Sequence, residues 1–186
     1  PAIDIVGTGG DASGSFNLST GASLLVAAMG VRVIKHGNRS VSSRSGSADL
    51  LEALGLPLPL DERSAGDCLA ATGFTFLFAP RYHPATKEVA PVRRALGVRT
   101  VFNLLGPLTN PAEPPFSLIG AYSAEAAKLM ADTLAGMPIE RAFVIHGEPG
   151  WDEATPVGPF ELYDVRPGVV RREVRDSLDL GMSRCT

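Results

Sequence analysis

Two cysteines in 186 residues, Cys68 and Cys185, leave no material for a disulfide framework or a cysteine-based zinc site. They are expected to be ordinary reduced thiols. Positive charge is also in short supply. Lysine and arginine total 17 against 20 acidic residues, giving a net charge of −3 and a pI near 5.6, so there is no basic footprint for a nucleic acid. No apolar run approaches the ~20 residues of a membrane span, and no signal peptide is read at the start. The expected compartment is therefore the cytoplasm, with no membrane or nucleic-acid partner. Nothing reads as a nucleophile–base pair, so no residue is assigned as catalytic nucleophile or base. Internal repeats and low-complexity linkers are missing as well.

Hydrophobic residues make up 45 % of the chain, enough for a sizeable core. Strand-like and helix-like segments alternate, which predicts an α/β fold with a mainly parallel sheet flanked by helices. Strands are predicted at 3–6, 31–34, 74–78, 116–122 and 141–146, and helices at 19–29, 48–54, 61–72, 83–96 and 123–135. Ser19 or Thr20 reads as the N-cap of the first helix and Ser47 as that of the second. Pro91 should kink or split the helix at 83–96. After Gly147 the pattern changes to short β segments at 160–164 and 169–174. The chain starts at Pro1 almost directly on a strand and stops at Thr186 with no closing element in the pattern. It is therefore expected to be a piece of a longer protein.

Three segments carry chemistry. In Val6-Gly7-Thr8-Gly9-Gly10-Asp11, three glycines in four positions let the backbone approach a ligand without Cβ clashes. Successive N–H groups in such a turn form an anion-binding nest, and the helix start behind Asn17-Leu18-Ser19-Thr20 adds free donors. The spacing is neither a Walker motif nor G-x-G-x-x-G. The second segment, residues 35–47, holds three cations (Lys35, Arg39, Arg44), five serines and two glycines in thirteen residues. It follows a strand and precedes a helix, where open α/β sheets bind ligands. The third is Asp152-Glu153, adjacent carboxylates suited to a hard cation such as Mg²⁺ that bridges to substrate phosphates. In addition, Arg93 or Arg94 could hold a substrate carboxylate in bidentate fashion.

GTGGD with FNLST, KHGNRSVSSRSGSADLLEALG, FLFAPRYHPATKEVAPVRRALGVRT, FNLLGPLTNP and the late Asp-Glu together resemble the anthranilate phosphoribosyltransferase family over most of the chain. The resemblance implies a nucleoside phosphorylase class II-like fold, a large α/β domain with part of a small helical domain contributed by about 83–97. It also implies an N-terminal helical segment and a C-terminal tail that are absent from this sequence. The implied activity is Mg²⁺-dependent transfer of phosphoribose from 5-phosphoribosyl-1-pyrophosphate to the amine of anthranilate, by a homodimer, in tryptophan biosynthesis. The contacts implied for phosphoribosyl pyrophosphate are Gly7, Gly10, Asp11, Ser15, Asn17, Leu18, Ser19, Thr20, Lys35, His36, Gly37, Asn38, Arg39, Ser40, Val41, Ser42, Ser43 and Ser47. For anthranilate they are Gly7, Asn38 and Arg93, and for the metal Ser19, Asp152 and Glu153. Two alternatives share the fold: a pyrimidine nucleoside phosphorylase, matched by Gly46-Ser47-Ala48-Asp49, and a non-catalytic nucleic-acid-binding relative.

Overall fold

The structure is a computed structural model that describes residues 1–9, 14, 16–39, 45–85, 88–89, 92, 95 and 100–185. Seven strands form one sheet in the order β3-β2-β1-β4-β5-β6-β7. They are β1 (Ala2–Gly7), β2 (Arg32–Gly37), β3 (Phe74–Phe78), β4 (Phe116–Gly120), β5 (Arg141–Gly147), β6 (Phe160–Arg166) and β7 (Val169–Arg175). The first five are parallel, and β6 and β7 extend the edge as an antiparallel hairpin. The expected α/β class holds, and the late β segments prove to be full members of the sheet.

Apolar side chains alternate across the strands and bury both faces, as a parallel sheet requires. On one face, helices α1 (Leu18–Ala28) and α2 (Ser47–Ala53) cover Val33, Phe74 and Phe76 together with Ile3. On the other, α3 (Glu62–Thr72) packs Ala65 against Leu77. Further along that face, the helix Ala124–Ala135 seats Ala127, Met130, Ala131 and Leu134 on Ile119, Val144 and Val165. Local sequence sets the helix ends. Asp61 accepts from Ser64 N and Ser123 from Ala126 N, while Gly73 closes α3 at φ 74°.

Two predicted caps are displaced. The N-cap of α1 is Asn17, whose carbonyl accepts from Thr20 N and Gly21 N, so Ser19 and Thr20 lie inside the first turn. The N-cap of α2 is Gly46, and Asp49 accepts from its N–H at 2.8 Å, which leaves Ser47 as the first helical residue. Between α4 (Ala79–Tyr82) and α5 (Phe102–Leu105), residues Ala85, Glu88, Val89, Val92 and Ala95 are helical, and Pro91 lies outside the described residues. A 3-10 turn, Gly106–Leu108, follows α5. The sequence pattern does not reveal α4, α5 or this turn, each too short to show a periodicity.

The strand order reverses between β1 and β4. Chain connections leave β1 toward β2 on one side, while β4 and β5 lie on the other. Ligands of open α/β sheets bind at such a switch point, beyond the carboxyl ends of the strands.

Candidate functional site

Glycine ends β1, β4 and β5, at Gly7, Gly120 and Gly147. A Cβ at Gly120 would lie 1.7 Å from the Asp152 carbonyl oxygen, and one at Gly147 would lie 2.1 Å from that of Glu153. At Gly7 it would lie 2.5 Å from Asp152 Oδ2. The absent side chains make a shallow trough across three strand ends, and the Asp152–Glu153 turn lies in it. Gly147 fixes the start of that turn by exchanging hydrogen bonds with Trp151, both at 2.9 Å. The buried Asp152 then accepts from Gly9 N at 2.8 Å. The acidic turn is thereby tied to the first glycine loop, from which it is separated by most of the chain.

The second loop meets the same place. Lys35, 1 % exposed, donates through Nζ to the Ile5 carbonyl and to Ser19 Oγ, the latter at 3.2 Å. Asn17 Nδ2 donates to Ser45 Oγ at 3.3 Å, joining the two polar segments. Burial pushes the Lys35 ammonium down to about 8, opposed by the attraction of Asp4 and Glu153. The Lys35 ammonium is thus held nearly dry beside Ser19 at the start of α1.

His36 follows Lys35 in sequence and is buried as well. Its Nδ1 is 3.2 Å from the Gly106 carbonyl, a contact that requires the Nδ1–H tautomer, and Nε2 has no hydrogen-bond partner. The ring meets His83 edge-on with centroids 5.1 Å apart. Burial first, and His83 second, lower the His36 pKa to about 4, so the ring is neutral at pH 7. Gly37 is close under Phe76, whose ring carbon would sit 3.0 Å from an added Cβ, and Ser47 flanks it. Ala48 N donates to the Asn38 carbonyl at 3.3 Å.

The structure thus brings Gly7, Asn17, Ser19, Lys35, Asp152 and Glu153 to the carboxyl-end side of the sheet around β1. Thr20 is fully buried with its hydroxyl unpartnered, while Leu18 is exposed. Arg39, expected at phosphoribosyl pyrophosphate, lies at the end of the described part of its loop and is partly exposed. Its guanidinium is held by Asp49 at 3.0 Å and by both carboxylate oxygens of Glu52, so it braces α2. Gly10, Asp11, Ser15, Ser40, Val41, Ser42, Ser43, Arg44, Arg93 and Arg94 lie outside the described residues.

Sequence reasoning misses Asp4 and Asn110. Asp4 is 1 % exposed in the middle of an apolar strand, and burial pushes its carboxyl up to about 6 against the pull of Lys35. It accepts from His36 N at 3.2 Å and from Asn110 Nδ2 at 2.9 Å. An aspartate inside Ala-Ile-Asp-Ile-Val is the available signal.

The residues expected at a divalent cation, Asp152, Glu153 and Ser19, would offer it carboxylate and hydroxyl oxygens, all hard donors. Among the described residues no cluster of three or more His, Cys, Asp or Glu forms an all-protein cage. That donor set fits Mg²⁺, which keeps water and completes its shell with substrate phosphate oxygens.

Comparison with known proteins places this geometry. A family model described as "Glycosyl transferase family, a/b domain" matches residues 1–186. Anthranilate phosphoribosyltransferase of Desulforudis audaxviator is 52 % identical over 181 residues, covering 97 % of this chain and 52 % of the relative. That of Nitratidesulfovibrio vulgaris is 51 % identical over 191 residues, covering 100 % and 56 %. The crystal structure of anthranilate phosphoribosyltransferase from Thermus thermophilus superposes with a TM-score of 0.89 at 49 % identity, covering 100 % of this chain and 55 % of that one. The Saccharomyces cerevisiae enzyme in complex with PRPP and Mg also gives 0.89, at 31 % identity, covering 100 % and 51 %. The chain spans about half the length of the relatives it matches. With its whole length matched by that α/β domain, the chain belongs to the glycosyl transferase family.

Proposed function

We propose that this chain is the phosphoribosyl-pyrophosphate-binding α/β part of an anthranilate phosphoribosyltransferase. The observation that carries the proposal is the joining of Lys35, Ser19 and the Asp152–Glu153 turn at the β1/β4 switch point, with Gly9 N hydrogen-bonded to Asp152. Relatives about half identical over nearly the whole chain bear the enzyme's name, which supports the reading.

The reaction is displacement at ribose C1. The amine nitrogen of anthranilate bonds to C1 as the C1–O bond to pyrophosphate breaks, and the amine then loses a proton. Negative charge builds on the departing oxygens, and Lys35 is the cation assigned to meet it. Its positive charge, largely desolvated, acts more strongly there than it would in water. Backbone N–H groups of the glycine loop and of the start of α1 add donors. Ser19 on one side and Asp152 with Glu153 on the other would hold Mg²⁺, which would supply neutralisation of the diphosphate charge. An aromatic amine is neutral at pH 7, so no strong base is required. His36, neutral with its Nε2 bare, offers an acceptor and no acid. Gly7, Asn38 and Arg93 complete the proposed anthranilate contacts.

The assembly proposed is a homodimer and the compartment the cytoplasm, for which the free thiols Cys68 and Cys185 are the support in this chain. Anthranilate fluorescence consumed with phosphoribosyl pyrophosphate and Mg²⁺, and unchanged when either is withheld, is the expected result. Phosphate-dependent cleavage of uridine or thymidine would replace this reading with that of a nucleoside phosphorylase.

A further inference from the structure

Pairing between β1 and β2 is recorded at Ala2–Arg32 and Ile3–Val33 and goes no further, although both strands continue for four more residues. Pairing of β1 with β4 and of β2 with β3, by contrast, runs through five positions each. Where the β1–β2 ladder stops, the backbone groups that would have closed it need other partners. Side chains supply them. Lys35 Nζ donates to the Ile5 carbonyl of β1. Asn110 Nδ2 donates to the Ile34 carbonyl of β2 at 2.9 Å, and Asp4 accepts from His36 N at 3.2 Å. Asn110 and Asp4 also bond to each other, at 2.9 Å. The two β2 groups they hold, Ile34 C=O and His36 N–H, flank Lys35 on either side.

Asn110 is itself fixed, because its Oδ1 accepts from Ala112 N at 3.0 Å. The segment that leads into Asn110 carries the Gly106 carbonyl that meets His36 and the Thr109 carbonyl that lies 2.9 Å from His83 Nε2. One buried pair thus ties the β2 backbone around Lys35 and His36 to the segment 106–110.

We propose that Asp4 and Asn110 are positioning residues that fix the β2 backbone on both sides of Lys35, and with it the place of the Lys35 ammonium between the Ile5 carbonyl and Ser19 at the diphosphate site. The proposal rests on the phosphoribosyl-pyrophosphate reading above and adds two residues to it. Neither touches substrate. They act through the Lys35 backbone and the His36 ring.

Trp151, the one tryptophan of the chain, adjoins Asp152 and reports binding by its fluorescence. The test is a titration of the chain with phosphoribosyl pyrophosphate in Mg²⁺, read at Trp151, for wild type, Asn110→Ser, Asp4→Asn and the exchange Asp4→Asn/Asn110→Asp. Thermal unfolding is measured beside it without ligand. Asn110→Ser and Asp4→Asn should each weaken binding about tenfold or more, the scale of one lost charge-assisted hydrogen bond. The exchange, which restores a donor facing an acceptor across the pair, should recover part of that loss. Should Asp4→Asn fail to fold, Asn110→Ser and the exchange carry the same comparison. A lowered melting temperature with affinity unchanged in Asn110→Ser would overturn the proposal, because the pair would then be a matter of packing alone. A wild-type chain that gives no response overturns the underlying ligand reading instead.

Discussion

A methyl group at Gly120 would occupy the space of the Asp152 carbonyl oxygen, 1.7 Å from where its carbon must go. Backbone, unlike the tip of a side chain, cannot swing aside, so Gly120→Ala should displace the whole acidic turn. The expected cost is about 1–3 kcal/mol in denaturant unfolding, with a changed Trp151 emission. An unchanged spectrum would mean that the turn does not rest on the strand end. Lys35 gives a second residue-scale expectation. Its folded pKa, about 8, lies below the ordinary 10.5, so the unfolded chain binds more protons between these values. Stability therefore rises with pH from about 8 to 10.5, and the whole of that gain is gone once pH has fallen below 8. Unfolding free energy of wild type minus that of Lys35→Met should climb across this window. A flat difference would show that the ammonium is not desolvated.

At the scale of elements, the alternating apolar pattern makes the parallel strands and their helices legible, because a strand buried on both faces and a helix over it leave different periods. The glycine at the end of β1 is legible too, since a run of three glycines in four residues marks where the strand stops. Cap positions are not. Ser19 reads as a cap from its type, yet Asn17 begins the helix and frees the Ser19 hydroxyl for Lys35. The pairing of Arg39 with Asp49 and Glu52, in the first and second turns of α2, is not legible either, because it joins a loop to the helix behind it. Gly120 and Gly147 leave no local signal, because their need for a bare Cα comes from a turn far along the chain. Phe76, fully buried between α2 and Gly37, anchors this half of the sheet. Phe76→Ala should cost about 3–5 kcal/mol in chemical denaturation. A loss below about 1 kcal/mol would place it outside the core.

At the scale of the whole molecule, the site is a product of topology. β1 and β4 are neighbours in the sheet although more than a hundred residues separate them, and Asp4 bonds to Asn110 across a sequence gap of 106. No local pattern announces such contacts, and an aspartate in an apolar strand is the trace they leave. The acidic turn reaches the site for the same reason, returning from β5 to lie across the strand ends. Three segments that are separate in sequence become one surface with Lys35 at its base. The direct test is isothermal titration of phosphoribosyl pyrophosphate into this chain, with and without Mg²⁺, for wild type and for Asp152→Ala/Glu153→Ala. The account predicts binding by wild type that requires Mg²⁺ and is lost in the double variant. Equal binding by the two proteins, or binding indifferent to the metal, would contradict it.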